Sequence, residues 1–227
     1  MIHPEGQISR AEVATIFFRM LTDSARNQYW SQDNPYNDVR PGDWYNNAIS
    51  TLTNMGLLDG YPDGGFHPNA SINRAEFAAI AVRFFIITDD VEYKGDAFSD
   101  ISDSWANEYI NMAYLLELIT GYPDGTYHPD DPILRAEAMT LVNNTLRRSP
   151  VKSGLLPESR MINWPDNADK NKWYYVAVQE ATNSHEYKRL SDGTEIWTEQ
   201  LPVRDWAAFE REWSDASSAK GQGEVAG

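Results

Sequence analysis

Arg10-Ala11-Glu12, Arg74-Ala75-Glu76 and Arg135-Ala136-Glu137 are three copies of one triplet. Each follows a His-Pro pair (His3-Pro4, His67-Pro68, His128-Pro129) by the same interval, and each opens an apolar-periodic run. The Arg residues stand 64 and 61 positions apart. A motif recurring at such a period marks a repeat architecture, and every other feature is read against it.

Downstream of each triplet the period is helical. Ser9 with Glu12 three residues on is a capping-box pattern, and Val13, Ile16, Phe17, Met20 and Leu21 share one face. Asn73 with Glu76, followed by Phe77, Ile80, Ala81, Phe84 and Phe85, is the same helix again. The third copy has Ala138, Leu141, Val142, Thr145 and Leu146, but Leu134 at the cap, a loss of about 1 kcal/mol. Upstream, Gly60-Tyr61-Pro62-Asp63-Gly64 and Gly121-Tyr122-Pro123-Asp124-Gly125 read as tight turns. Further upstream lie Tyr36-Asn37-Asp38-Val39, Phe98-Ser99-Asp100-Ile101 and Trp164-Pro165-Asp166-Asn167. Each leads into a helix begun by Trp44, Trp105 or Trp173, the first spanning about 44–57 with Trp44, Ala48, Ile49, Leu52 and Met55 inward.

Residues 23–35 read as irregular and 147–163 as a linker. After Trp173 the turn is replaced by Ser191-Asp192-Gly193, then by period-2 hints over 195–201. A short helix capped by Asp205 groups Trp206, Phe209 and Trp213, and the tail from Ser214 reads as disordered.

There are three first halves and three second halves, with an orphan at each end of the chain. Closure brings the orphans together. The expectation is an all-α fold of pseudo-threefold helix-loop-helix repeats, a monomeric pseudo-trimer whose two ends touch. Its expected segments are 1–35 (second half), 36–92 and 93–150 (whole repeats), 151–201 (divergent first half) and 202–227 (C-terminal helix and tail).

Composition removes several classes of function. A net charge of −15 argues against a nucleic-acid surface and a polybasic membrane anchor. Zero Cys removes disulfides and thiolate chemistry. No apolar run is long enough to span a membrane, and no signal peptide is visible. Met1 lies inside a repeat motif, so the chain reads as a fragment. Each Pro-Asp-Gly turn has too few oxygen ligands for a calcium loop, and neither a nucleophile elbow nor a phosphate loop is present. No cofactor, metal site or catalytic group is expected.

These linked motifs resemble the S-layer homology (SLH) module over about residues 3–181. The resemblance rests on the aromatic-x-Asp start, the Trp helix, the Gly-Tyr-x-Asp-Gly turn and the helix starts Ile8-Ser9-Arg10-Ala11-Glu12, Ile72-Asn73-Arg74-Ala75-Glu76 and Ile133-Leu134-Arg135-Ala136-Glu137. The family's Thr is Ser9, Asn73 and Leu134 here. The resemblance implies a pseudo-trimer with ligand grooves between units. It implies non-covalent anchoring at the bacterial cell surface to secondary cell-wall polymers, often pyruvylated, or to modified peptidoglycan.

The residues themselves support a carboxylate site. A first-turn Arg opposes the helix dipole, so its threefold recurrence asks for a reason. Arg10, Arg74 and Arg135 with exposed helix N–H groups would form an anion-binding corner; equally, each Arg could pair with a nearby Glu or Asp. Trp44, Trp105 and Trp173 could stack on sugars or fill the core. Asp38, Asp100 and Asp166 could touch ligand or fix loops. Gly60, Asp63, Gly64, Gly121, Asp124 and Gly125 could present turn amides to hydroxyls or simply turn the chain. The expected partner is bacterial cell-wall polysaccharide. The alternatives are protein docking through Trp206, Phe209 and Trp213, and a cell-wall glycosidase working through paired carboxylates. By cap and turn, the expected order of site competence is Arg74, Arg135, Arg10.

Overall fold

The computed structural model describes residues 1–85 and 95–221. The expected boundary between the repeats 36–92 and 93–150 lies outside them. Two compact units emerge, one of Ser9–Ala70 with the segment from Arg204 onward, the other of Met1–Ile8 with Ser71–Val203.

In the Ser9–Ala70 unit, α1 (Arg10–Met20) and α2 (Asp23–Tyr29) pack on α3 (Asn46–Asn54). Val13, Ala14, Phe17, Phe18, Ile49 and Leu52 are buried between them. Thr22 caps α2 by accepting from Ala25 N, so the stretch expected to be irregular holds two helical turns. The helix expected from Trp44 begins at Asn46, and Trp44 is 61 % exposed, outside the core. The C-terminal helix α8 (Trp206–Gly221) sets Trp213 against Phe18 and Trp30, with ring centroids 6.3 and 5.8 Å apart. Arg26 is sealed beneath it, 4.7 Å from the Trp213 centroid and 5.0 Å from that of Trp206. The aromatic cluster offered by the protein-docking alternative is therefore half-buried, with Trp213 against the chain's own Phe18 and Trp30. The helix also continues to Gly221, past the Ser214 at which disorder was expected.

In the other unit, α4 (Arg74–Phe85) packs on α5 (Asn107–Leu115) and α6 (Arg135–Thr145), and α6 packs on α7 (Tyr175–Thr182). The all-α expectation needs correction here. An antiparallel hairpin, β1 (His185–Arg189) and β2 (Glu195–Gln200), replaces the missing repeat turn. Asp192 accepts from Thr194 N and Oγ1 at its tip, and Gly193 supplies the φ of +86°. The period-2 pattern wins because Glu195 and Trp197 face inward while Ile196 and Thr198 face out.

The hairpin's inner face is fastened by buried charge. Arg148 pairs with Glu180 at 2.7 Å and Glu195 at 3.1 Å, and Arg189 pairs with Glu195 at 2.6 Å. Trp197 Nε1 donates to Glu180 at 3.0 Å. His185 stacks on Trp197 at 3.9 Å. Arg148 can only donate, so its 2.7 Å contact makes His185 Nε2 an acceptor and leaves Nδ1 to donate to Asn183 O. His185 is thus neutral in this arrangement.

The two ends of the repeat region meet. Ile2 N and His3 N both donate to Asp166 Oδ2, at 2.9 and 2.7 Å. Lys172 and the Tyr174 hydroxyl both reach Glu5, at 2.9 and 3.1 Å. Orphan halves that expose one apolar face each gain by this closure.

Candidate functional site

One joint recurs three times, and the triplets stand at its centre. Asp38 accepts from Phe66 N and His67 N at 2.8 Å each. Asp100 accepts from Tyr127 N and His128 N at 2.8 Å each. Asp166 holds Ile2 N and His3 N at the matching place, both on its Oδ2. These three Asp residues therefore fix loops. The grip holds His3, His67 and His128 at φ of +54°, +55° and +56°, a strained region for a non-glycine residue. Three backbone N–H donors in all hold the Asp166 carboxyl, chiefly that of His3, below its ordinary value.

Each pinned loop then caps a helix. Pro68 O and Ala70 O accept from Ala11 N and Arg10 N. Pro129 O and Asp131 O accept from Ala75 N and Arg74 N, and Pro4 O and Gly6 O accept from Ala136 N and Arg135 N. The expected corner of exposed helix N–H groups is thus corrected. Orphan donors at a helix start must find acceptors, and here the loop carbonyls supply them.

The Arg side chains lock the joint. Arg10 Nε donates to Phe66 O at 2.9 Å, Arg74 Nε to Tyr127 O at 2.7 Å, and Arg135 Nε to Ile2 O at 2.8 Å. Arg10 lies over Tyr61 and Phe66, each 4.6 Å from the ring centroid, and its Nη2 reaches Asp59 O. Arg74 lies over Tyr122 and Tyr127 at 4.9 and 4.6 Å. Recurrence of Arg against the helix dipole has this physical basis: the hydrogen bonds at the joint, joined at Arg10 and Arg74 by ring contacts, outweigh an unfavourable dipole of a few tenths of a kcal/mol.

The turn glycines divide by task. A Cβ on Gly60 or Gly121 would run into the ring of Tyr36 or Phe98, at 2.4 and 2.1 Å. Gly64 and Gly125 supply the φ of +84° and +82° that the turns need, and Gly121 does both, with a φ of +67°. Asp63 accepts from Gly65 N and meets His67 Nε2, while Asp124 accepts from Thr126, so both carboxyls titrate below their ordinary value. Tyr61 N and Gly64 N donate within their own turn.

A groove opens beside one joint. Arg74, Gly121, Tyr122, Glu137, Asn144 and Trp173 line a cavity of about 200 Å³ with Thr120, Thr140 and apolar neighbours. Of the expected site residues it brings together Arg74, Gly121 and Trp173. Asp100, Trp105, Asp124, Gly125, Arg135 and Asp166 belong to the same unit without lining it, and Arg10, Asp38, Trp44, Gly60, Asp63 and Gly64 belong to the other unit. Arg74 Nη1 pairs with Glu137 at 2.8 Å, so the nearby-Glu alternative holds for this Arg. Its Nη2 has no protein partner among the described residues. Burial, first of all, raises the Tyr122 hydroxyl above its ordinary value, and that hydroxyl donates to Glu137 at 3.4 Å. Trp173 is 64 % exposed, and Trp44 and Trp105 are 61 % and 62 % exposed. All three rings stand outside the core.

Glu137 was missed as a groove residue because its sequence context reads as a cap. It serves both, its Oε2 accepting from Leu134 N at 2.9 Å and its Oε1 facing Arg74. Tyr122 was legible only as a turn residue, and Asn144 and Thr140 left no signal.

Comparison with known proteins places these features in a family. The S-layer homology domain profile matches residues 35–78 and 97–139. The chain carries S-layer homology repeats in tandem. A cellulosome-anchoring protein of Acetivibrio thermocellus is 33% identical over 204 residues, covering 88% of this chain and 44% of that protein. Cell surface glycoprotein 1 of the same organism is 34% identical over 194 residues, covering 81% of this chain and 8% of that protein. An amylopullulanase of Thermoanaerobacterium thermosulfurigenes is 33% identical over 155 residues, covering 64% and 8%. The chain thus spans less than half the length of these relatives. Among the described residues, no helix is long and apolar enough to cross a membrane.

Proposed function

We propose that the chain is a non-catalytic anchoring module of the bacterial cell surface, and that it holds a larger protein by binding an anionic cell-wall glycan. The repeats form a pseudo-threefold arrangement, with the groove at Arg74 as the leading site. A cellulosome-anchoring protein, a surface glycoprotein and an amylopullulanase share this stretch as less than half of their length, which fits an anchor better than a catalyst.

The observation that carries the glycan reading is the groove itself. A largely buried guanidinium with one amine unpartnered faces a cavity walled by an exposed indole. An acidic substituent binds the guanidinium in competition with Glu137, and the sugar face lies on Trp173. On a chain of net charge −15, the local cation has to outweigh the overall field. Arg74→Ala also removes a structural bond, so the cleaner variant is Trp173→Ala. Sedimentation with purified wall polymer, with and without its acidic substituents, tests the reading. Binding should fall for the stripped polymer and for Trp173→Ala. Equal sedimentation of both polymers with both proteins would overturn it. Release of reducing sugar from wall material would instead establish the glycosidase alternative.

A further inference from the structure

A second cleft, of about 250 Å³, shares no lining residue with the Arg74 groove. Its wall is built by the short turns Glu158–Arg160 and Pro165–Asn167 and by the first half of α7. Trp164 is fixed there, its Nε1 donating to Thr182 Oγ1 at 2.9 Å.

The polar atoms of this cleft are incompletely used. Asn167 is 2% exposed, and its Nδ2 donates to Tyr175 O, but its Oδ1 is buried without a donor. Gln179 is 1% exposed, and its Oε1 accepts from Asn183, while its Nε2 has no partner among the described residues. The Tyr175 hydroxyl likewise has none among them. A buried acceptor without a donor, as at Asn167 Oδ1, is scarce in folded proteins and marks this cleft as polar inside. At the rim, Lys170 and Glu158 form an ion pair that cancels their charge.

The Gln179 Nε2 and the Tyr175 hydroxyl, neither with a protein partner among the described residues, lie in the lining beside the Trp164 indole, and the rim charges cancel. That pattern matches a pyranose, which offers alternating hydroxyls around an apolar face. We propose that this cleft binds one neutral, hydroxyl-rich sugar ring of a wall glycan, independently of any acidic group held at Arg74. The anchoring reading enters only as the source of the sugar.

The experiment is a titration of the full chain with N-acetylglucosamine and with glucose, read by NMR at the Trp164 indole N–H and the Asn167 and Gln179 side-chain amides. At least one sugar should give saturating shifts at these groups. Tyr175→Phe should weaken binding about fivefold, the factor of one net hydrogen bond. Trp173→Ala should leave these shifts intact while wall-polymer sedimentation falls, which separates failure of the two sites. Absence of saturating shifts would overturn the proposal and leave the polar atoms to water. So would shifts of wild-type affinity in both Tyr175→Phe and Gln179→Met.

Discussion

Asp100 grips two successive amides with one oxygen each, as Asp38 does, while Asp166 takes both of its amides on Oδ2. Charge-assisted bonds of this kind contribute about 1.5–3 kcal/mol each, and the two here share one side chain. Asp100→Ala should therefore lower unfolding free energy by about 2–3 kcal/mol, and Asp100→Asn by about half as much, since one acceptor remains. Urea titration decides it; a change under about 0.5 kcal/mol for Asp100→Ala would show the grip to be incidental. Trp173 makes the opposite case. Being 64 % exposed, it should contribute little to folding. Trp173→Ala should leave the urea midpoint within about 0.5 kcal/mol of wild type while weakening glycan binding roughly tenfold. A large loss of stability with unchanged binding would return Trp173 to the core.

At the scale of elements, the helix caps differ as the residues require. Ser9 and Asn73 accept from the N–H of Glu12 and Glu76. Leu134 has no acceptor, so only the Glu137 half of its box forms. Leu134→Ser should stabilise the chain by about 0.5–1 kcal/mol, measurable as a rise in thermal midpoint; no rise would mean that Leu134 packing outweighs the cap. The hairpin sets up a pH dependence. Burial, the largest cause, holds His185 below its ordinary value, so the folded state favours the neutral ring that accepts from Arg148. A depressed histidine contributes stability above its unfolded pKa of about 6.5, and this is lost as pH falls below that value. Glu180, raised chiefly by burial, acts with opposite sign once the pH enters its own range. Between pH 7.5 and 5.5 the wild type should lose more stability than His185→Gln, by at most about 1.4 kcal/mol per pH unit for one proton; parallel curves would remove His185 from the account. Helices with periodic faces, such as α1 and α4, were legible because one side is buried. The joints were not, because Arg10, Asp38 and the His67 loop are distant in sequence and meet only through backbone groups that no side-chain pattern encodes. The exposed Trp residues were misleading for a related reason. Each adjoins an apolar stripe in sequence, yet lies before its helix begins, where the stripe no longer fixes direction.

At the scale of the molecule, the unit boundaries cut across the repeats. The segment from Arg204 returns to the Ser9–Ala70 unit, and Arg204 pairs with Asp23 at 3.1 Å. There Trp213 covers Phe18 and Trp30, and Arg26 is buried beneath the aromatic rings with its Nε and Nη1 unsatisfied. A buried cation without full hydrogen bonding is tolerated only while rings face it and water stays out. Removing residues 202–227 would open that site and expose Phe18. The Arg74 groove draws all its lining from the other unit, so its binding should survive. The truncated chain should thus show a lower thermal midpoint, by several degrees, with early proteolysis within residues 9–70 and with wall-polymer binding retained. Loss of binding at a temperature where residues 71–201 resist protease would mean instead that the C-terminal aromatics take part in attachment. An unchanged midpoint would mean that the α8 contacts contribute nothing to the fold.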